Sequence, residues 1–537
     1  MNPPLRAALA CVLLTAAGCA HRAPTAPPPP PPGLFAVREG HPLPGSGHLL
    51  LRIEEAPSLG EDGRVTFEAQ VDPAGPPGPR GAIVTAWPGG TLLRAVGSRR
   101  TTEGSKGWVL DGGFFPPRIG RGGHVAVGVS LRPSAEHRPA VALAPPGGAA
   151  EVVAEGRVWL DRRFWWIAVS DPRVNARGDL LLRGGPDPGD SGGSPFTDSL
   201  LRRPAATGRL GVLAAFGTPV RGPGGEREIR EVPNTRGGAV LLDDGRVFFA
   251  AELNGGAEAV CVAGAEAPSL RLVAADGSPL HVPGGGAATL EMQNRLASLR
   301  SSPGGVVAFE ARWRPEGAGG RGPRTRGVVF VTPRGLEAQP LADPPQGAVS
   351  WLADFRVNDR LDVAGKAKLI RGSAHADALV ASGPGDAAWR VLAVEGDRAP
   401  GPGGGVFDDD PDTPGLGLGD PLLAPDGSVA FKAELLLPGG GRAQGIYLAP
   451  GTPAPGTPGS PGTPGSPAPE NAGTPSPPLR ELLRTGDRFL GGRLAAIEGF
   501  GELNDERARG DRGDLAFTYT LDSGERGLVV LPVGGGG

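Results

Sequence analysis

Three aspartates alternate with other residues in the C-terminal half of the chain. Asp408, Asp410 and Asp412 occupy every second position of the run Asp-Asp-Asp-Pro-Asp. Oxygen ligands at alternate positions can converge on one hard cation, and Ca²⁺ takes six to eight of them, so calcium is the one cofactor that the sequence suggests. A calcium loop also needs a turn glycine and a distal acid. Thr413 stands where the glycine is expected and Gly415 comes late, which favours a plain acidic loop.

A serine between small residues is the second candidate for chemistry. Residues 189–193 read Gly-Asp-Ser-Gly-Gly, which resembles the segment around the nucleophile of trypsin-like serine proteases. The resemblance implies that Ser191 would attack a carbonyl after an upstream histidine removes its proton. The proline of that pattern comes one place late, at Pro195, and the upstream histidines lack the expected context. We therefore predict a solvated loop here and no catalytic residue in the chain.

The N-terminus predicts export and a lipid anchor. Arg6 is followed by an apolar run over residues 7–17 that is too short to span a bilayer permanently. The run ends at Ala-Ala-Gly-Cys, which resembles the lipobox of bacterial lipoproteins. The resemblance implies that residues 1–18 are a removed signal peptide and that Cys19 carries acyl chains. Ala20, where a retention signal would place aspartate, implies the outer membrane of a Gram-negative bacterium, on its periplasmic side or at the cell surface. The alternative is an ordinary cleaved signal peptide.

The other cysteines and the proline-rich segment fit this interpretation. Cys11 lies in the predicted signal, which leaves Cys261 as a single thiol among alternating apolar residues. We predict a buried core thiol there, because an exported domain with one thiol has no internal disulfide framework. Residues 19–33 contain six consecutive prolines, which favour a stiff polyproline II stalk between lipid and folded domain.

Charge and composition limit the partners. Lys+Arg number 54 and Asp+Glu 57, for a net charge of -3, so the chain lacks the basic excess of a nucleic-acid binder. We expect a monomer whose partners are the membrane, through the lipid anchor, and a protein or glycan ligand.

A strand pattern returns along the whole chain. A turn glycine is followed by apolar residues at its second, fourth, sixth and eighth positions, which is typical of a β-strand that leaves a tight turn. The opening positions of the eight copies are Gly63, Gly123, Gly178, Gly245, Gly305, Leu361, Gly427 and Gly513. The period is about sixty residues once a low-complexity Gly-Thr-Pro and Gly-Ser-Pro insertion is subtracted. Units one to seven occupy residues 34–450, the insertion 451–478, unit eight 479–533, and a glycine tail 534–537.

The opposite face of this strand predicts the architecture. The third residue after the opening position is alanine in five of the eight copies and charged in none. A sheet packed between two neighbours needs small apolar residues on one face and large ones on the other. We therefore predict an all-β fold, a β-propeller of eight four-stranded blades. The alternatives are a seven-bladed ring with a separate C-terminal unit, or another β repeat array.

The repeat also resembles a known family. Segments 427–431, 305–309 and 513–517 each contain Gly-x-x-Ala-Phe and are similar to the Asn-x-x-Gly-x-x-Ala-Phe tandem repeat of bacterial exported proteins with varied surface anchors. The asparagine position is occupied by asparagine only at Asn175 and Asn358. The resemblance implies surface-exposed or secreted repeats and brings no catalytic residues.

These observations favour a binding or scaffolding module on a lipid anchor, because propeller loops are presented on a rigid frame. The alternative is a hydrolase or lyase that acts on a glycan, lactone or ester at the central mouth. Carboxylates and histidines clustered in the channel would favour the enzyme.

Overall fold

The computed structural model describes residues 34–54, 57–60, 63–72, 80–88, 90–95, 109–132, 138–148, 150–155, 158–160, 163–166, 172–186, 199–233, 238–265, 269–282, 286–292, 299–315, 324–340, 342–384, 386, 388–408, 417–451, 478–500 and 513–532. Every regular element in these ranges is a β-strand, and the strands group into eight sheets. Nowhere in these ranges is there a helix of the length and apolarity that crossing a membrane requires.

The first strand, β1 (Phe35–Arg38), belongs to the last sheet. Sheet 1 contains β2 (Leu49–Ile53), β3 (Ser58–Leu59), β4 (Val65–Asp72), β5 (Arg80–Trp87) and β6 (Gly90–Ala95). Sheet 2 contains β7 (Val109–Ile119), β8 (Val125–Arg132), β9 (Arg138–Ala144) and β10 (Glu151–Glu155). Sheet 3 contains β11 (Val158–Leu160), β12 (Arg163–Trp166), β13 (Arg173–Val174), β14 (Leu180–Pro186), β15 (Ser199–Arg203) and β16 (Gly211–Ala214). Sheet 4 contains β17 (Pro219–Gly222), β18 (Gly225–Glu231), β19 (Ala239–Leu241), β20 (Val247–Leu253), β21 (Glu258–Ala263) and β22 (Leu270–Ala275).

The second half of the chain repeats the arrangement. Sheet 5 contains β23 (Pro279–Val282), β24 (Gly286–Glu291), β25 (Leu299–Ser301), β26 (Val307–Pro315), β27 (Thr325–Thr332) and β28 (Gly335–Pro340). Sheet 6 contains β29 (Ala348–Val357), β30 (Val363–Arg371), β31 (Ala374–Ser382) and β32 (Arg390–Val394). Sheet 7 contains β33 (Val406–Phe407), β34 (Leu422–Leu423), β35 (Val429–Leu436), β36 (Arg442–Ala449) and β37 (Arg480–Arg484). Sheet 8 contains β38 (Arg488–Phe489), β39 (Gly492–Glu498), β40 (Leu515–Leu521), β41 (Arg526–Leu531) and β1.

Around the strand that follows the opening position, each sheet is an antiparallel meander, and sheets 4 and 5 each add a hairpin that also makes a parallel pair. In sheet 6 the order is β29-β30-β31-β32, and the strand nearest the axis, β29, is continuous. In sheets 1 and 7 that innermost strand is split into two short pieces, which pair with different halves of β4 and β35. A split strand places a loop or bulge beside the axis, where the backbone must bend between sheet and turn.

The sheets are offset by one strand from the repeat units of the sequence. Residues 389–394 begin unit seven, but β32 pairs with β31 of sheet 6. Likewise β37, from the start of unit eight, pairs with β36 of sheet 7. The first strand of unit one, β1, has its antiparallel partner at the other end of the chain, where Phe35 lies opposite Val530 and Arg38 opposite Gly527. This pairing closes the ring by joining the two ends of the described chain.

Apolar clusters join each sheet to the next and complete the circle. Sheet 8 packs on sheet 7 through Phe517 and Leu483, and on sheet 1 through Ala516 and Phe67. The last unit is therefore part of the same ring. The prediction of an all-β propeller is confirmed.

The two faces of the strong strand have the predicted division of size. Ala430 and Phe431 are both fully buried. Ala430 packs toward sheet 8 and Phe431 toward sheet 6. Large side chains of one sheet thus fit over small ones of its neighbour, which fills the space between sheets at interior density.

Two further features complete the frame. In sheets 4 and 5 an extra hairpin, β17–β18 or β23–β24, pairs through its first strand with the outer strand, β22 or β28. Its second strand pairs with the strand that follows the opening position, β20 or β26, so that each of these sheets curls into a small closed barrel. Cys261 lies in β21 with no exposed surface, and burial raises the pKa of its thiol to about 12. The prediction of a buried core thiol is confirmed.

Candidate binding site in the axial cavity

The innermost strands converge on a cavity of about 170 Å³ on the axis of the ring. Seven sheets each contribute the residue four places before the opening position of their repeat. These residues are mainly aliphatic: Leu59, Ile119, Val174, Leu241, Ser301, Val357 and Leu423. The equivalent residue of the eighth repeat lies outside the described ranges. The cavity therefore has an aliphatic wall, and the turns that follow it form the polar mouth.

The turns at the mouth are tied to one another by the repeat asparagine. Asn175 Oδ1 accepts hydrogen bonds from the backbone nitrogens of Arg177 (3.0 Å) and Asp179 (2.9 Å), which holds its own turn. Its Nδ2 donates to the Asp179 carboxylate (3.0 Å) and to the carbonyl oxygen of Leu242 in sheet 4 (2.8 Å). All four bonds are buried or nearly so. One side chain therefore closes a turn and fixes it to the next sheet.

Asn358 makes the same set of contacts between sheets 6 and 7. Its Oδ1 accepts from the backbone nitrogens of Arg360 and Asp362, both at 3.0 Å. Its Nδ2 donates to the Asp362 carboxylate (2.8 Å) and to the carbonyl oxygen of Ala424 (2.9 Å). Burial raises the pKa of Asp362, although the Asn358 bond opposes that shift.

Other residue types make this connection where asparagine is absent. Between sheets 5 and 6, Ser302 Oγ donates to Asp359, whose carboxylate also accepts from the Gly304 nitrogen (2.7 Å). Between sheets 2 and 3 the backbones themselves meet. A Cβ at Gly120 would lie 2.6 Å from the Asn175 carbonyl oxygen, and one at Gly122 would lie 2.1 Å from that of Ala176. These glycines permit a close approach that a side chain would prevent.

Arginine occurs repeatedly five places before the opening position. Arg118, Arg173, Arg300 and Arg356 share this place in sheets 2, 3, 5 and 6. Each lies directly opposite the third residue after the opening position, which is alanine opposite Arg118, Arg300 and Arg356. The small residue leaves room beside it for a long side chain between the sheets. Among these four arginines, Arg300 and Arg356 line the cavity.

Arg300 and Arg356 point their guanidinium groups at one carbonyl oxygen. Arg300 Nε donates to the Phe355 oxygen at 2.9 Å, and Arg356 Nη1 donates to the same atom at 3.1 Å. Both side chains are buried, with 2% and 5% of their surface exposed. Asp354 Oδ1 lies 3.8 Å from Arg300 Nη2, on a side chain that is 43% exposed. The Nε and Nη2 atoms of Arg356 are buried and have no hydrogen-bond partner.

The carboxylates of the cavity lining are already engaged. Asp243 accepts from the Ala176 nitrogen at 2.8 Å and lies 3.4 Å from the guanidinium of Arg121. Asp359 holds the sheet 5 turn through Ser302 and Gly304. Both acids therefore stabilise turns.

A second group of charges lies between sheets 6 and 7, away from this cavity. Lys368 pairs with Asp377 (2.6 Å) and Lys366 with Asp420 (2.9 Å). Glu395 is held beside them by the bond from its nitrogen to the Asp377 oxygen (2.9 Å). Burial, and then the negative charge of Asp377, raise the pKa of Glu395 to about 7, against the opposing effect of Lys368.

The residues singled out in the sequence lie elsewhere. Asp408 is buried, and its Oδ2 is 3.4 Å from Arg442 Nη2. Asp410 and Asp412 lie outside the described residues, as do Ser191 and Cys19. The described residues contain no group of three potential metal ligands. Calcium binding and lipidation therefore stay predictions. The sequence did contain a signal for the arginine pair, because arginine recurs five places before the opening position in four of the repeats.

The family model described as "Family of unknown function (DUF7453)" matches residues 34–335, more than half of the chain. The comparison with curated proteins finds no match. Among solved structures, an oligogalacturonate lyase from Vibrio parahaemolyticus is similar at 12% identity and a TM-score of 0.35, over 74% of this chain and 93% of that one. The β-propeller domain of the Trilobed protease from Pyrococcus furiosus is similar at 10% identity and a TM-score of 0.33, over 74% of this chain and 94% of that one. A putative TolB from Agrobacterium tumefaciens is similar at 12% identity and a TM-score of 0.24, over 54% of this chain and 81% of that one. Likeness at this level carries no argument about substrate or activity.

Proposed function

The chain belongs to the family of unknown function DUF7453, and we propose that it is a lipid-anchored binding module whose ligand enters the axial cavity. The observation that carries this proposal is the convergence of seven sheets on one cavity with a polar mouth. Hydrogen bonds between neighbouring turns, such as those of Asn175 and Asn358, hold that mouth in one shape. A rigid frame binds with little loss of conformational entropy.

The residues that line the axial cavity are better suited to binding a ligand than to catalysing a reaction. General acid–base catalysis needs a proton-transfer group that can reach the substrate in the right protonation state. The two lining carboxylates, Asp243 and Asp359, are held by turn hydrogen bonds. A protein or glycan partner that inserts a side group into the cavity is the ligand we favour. Hydrolase or lyase activity stays a prediction without support from the site.

The proposed anchor is compatible with an open mouth. Cys19 would carry the lipid, and residues 20–33 would span about 40 Å if extended as polyproline II. They lead into β1, the outermost strand of sheet 8, on the opposite side of the sheet from the axis. The stalk would therefore leave the ring at its rim. We place the protein in the outer membrane of a Gram-negative cell on the lipobox argument alone.

Two measurements test the proposal. For the anchor, Cys19→Ala should move the protein from the membrane fraction to the soluble fraction and abolish labelling by radioactive palmitate. For the site, binding to a panel of purified glycans and peptides is compared between the unaltered chain and Ser301→Trp, which narrows the cavity. Any ligand found should bind at least tenfold more weakly to this variant. Asn254→Trp, on an exposed turn of sheet 4, is the control. Equal binding by the unaltered chain and the Ser301 variant would place the ligand elsewhere.

A further inference from the structure

We propose that the ring turns the mouth of its axial cavity toward the membrane that holds the lipid anchor, and that the cavity takes an extended chain attached to that membrane. This inference rests on the proposed function, because it uses the anchor and the cavity and adds how the two face one another. It depends on the direction of β1, on the place where the insertion leaves the ring and on the reach of the stalk.

The strand directions place the start of the described chain on the mouth side of the ring. The turns at the opening positions form the mouth, and β40 follows the opening position Gly513, so that β40 runs away from the mouth and β41 returns toward it. Val530 of β41 lies opposite both Ala516, near the start of β40, and Phe35 of β1. Leu34 therefore enters sheet 8 at the mouth, and β1 leads the chain away to the other face.

The low-complexity insertion leaves the ring on the same face. β36 runs toward the mouth, because its last residue, Ala449, lies opposite Val429, the first residue of β35. A Cβ added at Gly427 would lie 3.7 Å from the Cα of Gly451, and Pro425 of the same turn lines the cavity. The insertion therefore begins beside the mouth.

The opposite face, where the structure describes it, consists of tight turns between the second and third strands. In sheets 4, 6, 7 and 8 these turns occupy residues 253–257, 372–373, 437–441 and 521–525. The strand β35 has eight residues and so measures about 26 Å from one face to the other. The two faces are therefore far enough apart to be told apart by a label.

The reach of the stalk favours one orientation. Six consecutive prolines favour a stiff polyproline II rod, and Gly33 alone separates this run from Leu34. A rod that continues the line of β1 leaves from the mouth face. For the opposite face to meet the lipid, the chain would reverse at Gly33 and pass back along about 26 Å of sheet, which uses well over half of the stalk's length of about 40 Å.

This orientation selects the kind of partner. With the stalk extended, the mouth lies at most about 40 Å from the lipid. An extended chain attached to the membrane fits in this gap and can insert an end or a side group into a cavity of about 170 Å³. A bulky particle that approaches from the solvent meets the opposite face first and does not reach the cavity.

The experiment uses the full lipidated chain in phospholipid vesicles, with one introduced cysteine in each variant. Ala206→Cys places a thiol on an exposed turn of the mouth face, after β15, and Asn254→Cys places one on an exposed turn of the opposite face. Cys261 is buried and does not compete for the label. Energy transfer from a fluorophore on each thiol to an acceptor on the lipid headgroups reports the distance. Because about 26 Å of strand separates the two faces, transfer from residue 206 should be about twofold higher or more.

Access to the mouth gives a second measurement. A maleimide on a polymer too large for the gap should modify Asn254→Cys faster than Ala206→Cys on vesicles. The same two variants combined with Cys19→Ala, free in solution, are the matched control and should react at equal rates. Replacing the six prolines by Gly-Ser repeats should reduce both differences, since a flexible stalk no longer sets the direction.

Transfer that is equal from the two positions, or higher from residue 254, would overturn the inference. Faster modification of residue 206 on vesicles would do the same. If Ser301→Trp weakens partner binding while the labels report either of these results, this inference fails and the proposed function stands. If the Cys19→Ala protein stays in the membrane fraction, the proposed anchor fails, and the orientation that depends on it fails too.

Discussion

Replacing Arg356 by methionine should make the ligand-free protein more stable. The side chain is 5% exposed, and two of its three nitrogens are buried without a partner. A buried donor left unsatisfied costs about 1–3 kcal/mol, and more when it is charged. Buried ionic groups replaced by apolar ones of similar volume have often stabilised proteins by about 1–4 kcal/mol. Against this gain stands the hydrogen bond to the Phe355 oxygen, but Arg300 also donates to that atom. We therefore expect the free energy of unfolding to rise by about 1–3 kcal/mol.

Urea unfolding, followed by tryptophan fluorescence in chloride buffer, measures this difference. Trp313 and Trp389 are buried in the sheet packing and report on its loss.

Arg300→Met is the comparison that separates function from packing. Arg300 donates at 2.9 Å to Phe355, lies near Asp354 and has its guanidinium carbon 5.9 Å from the Phe355 ring centre. Because its donors are used, its loss should lower stability by about 1–2 kcal/mol. If Arg356→Met instead lowers stability by 1 kcal/mol or more in chloride, the idea of an uncompensated buried charge is refuted. Arg356 would then be a packing residue.

Three further predictions concern the frame around the cavity. Asn358→Ala removes four hydrogen bonds that hold its own turn and join it to the next sheet. It should lower the free energy of unfolding, measured in urea, by about 2–4 kcal/mol. The control Asn254→Ala should lower it by less than about 0.5 kcal/mol. Gly122→Ala should lower the free energy of unfolding by about 1–3 kcal/mol, because the added Cβ would meet a backbone oxygen. Gly47→Ala is the control, since a Cβ there meets nothing within 4 Å. Equal effects of the two substitutions would refute the close approach of the two backbones at Gly122. Between pH 4.5 and about 7 the native state keeps a proton on Glu395 that the unfolded chain releases. The contribution of Glu395 to the free energy of unfolding is therefore complete below pH 4.5 and is lost as the pH rises to about 7. Glu395→Gln should flatten that part of the stability profile, and an unchanged slope would contradict the assignment.

The strand pattern could be predicted from the sequence because both faces of this strand are buried in the repeat, so each copy requires apolar residues at the same positions. The clearest case is Leu361, which occupies the place of a turn glycine. Its φ is 64°, close to the 79° of Gly427, and its nitrogen bonds to the Asn358 oxygen as Gly178 bonds to Asn175. The left-handed conformation is unfavourable for leucine, so the surrounding turn imposes it. The period of the repeat thus identified a turn that residue type alone would have missed.

The sheet boundaries and the barrels could not be predicted in the same way. The sequence period repeats whichever strand is counted first, so it does not show that β32 pairs backward to β31 or that β1 pairs with β41. That choice depends on contacts far apart in the chain. The hairpins of sheets 4 and 5 close barrels through parallel pairs, such as Val220 with Leu270 and His281 with Glu337, which leave no local pattern.

The arginine pair is hard to predict for a related reason. The columns that build the core repeat the same residue types from copy to copy, whereas the column five places before the opening position mixes arginine with other types. In that column the ring contains Ser58, Val240 and Leu422 beside the arginines, in sheets with the same pairing. A fold that accepts serine, valine and leucine there does not need arginine. The two buried arginines that meet at the Phe355 oxygen are therefore an addition to the frame, and the unsatisfied Nε and Nη2 of Arg356 carry a cost in stability that the fold does not require.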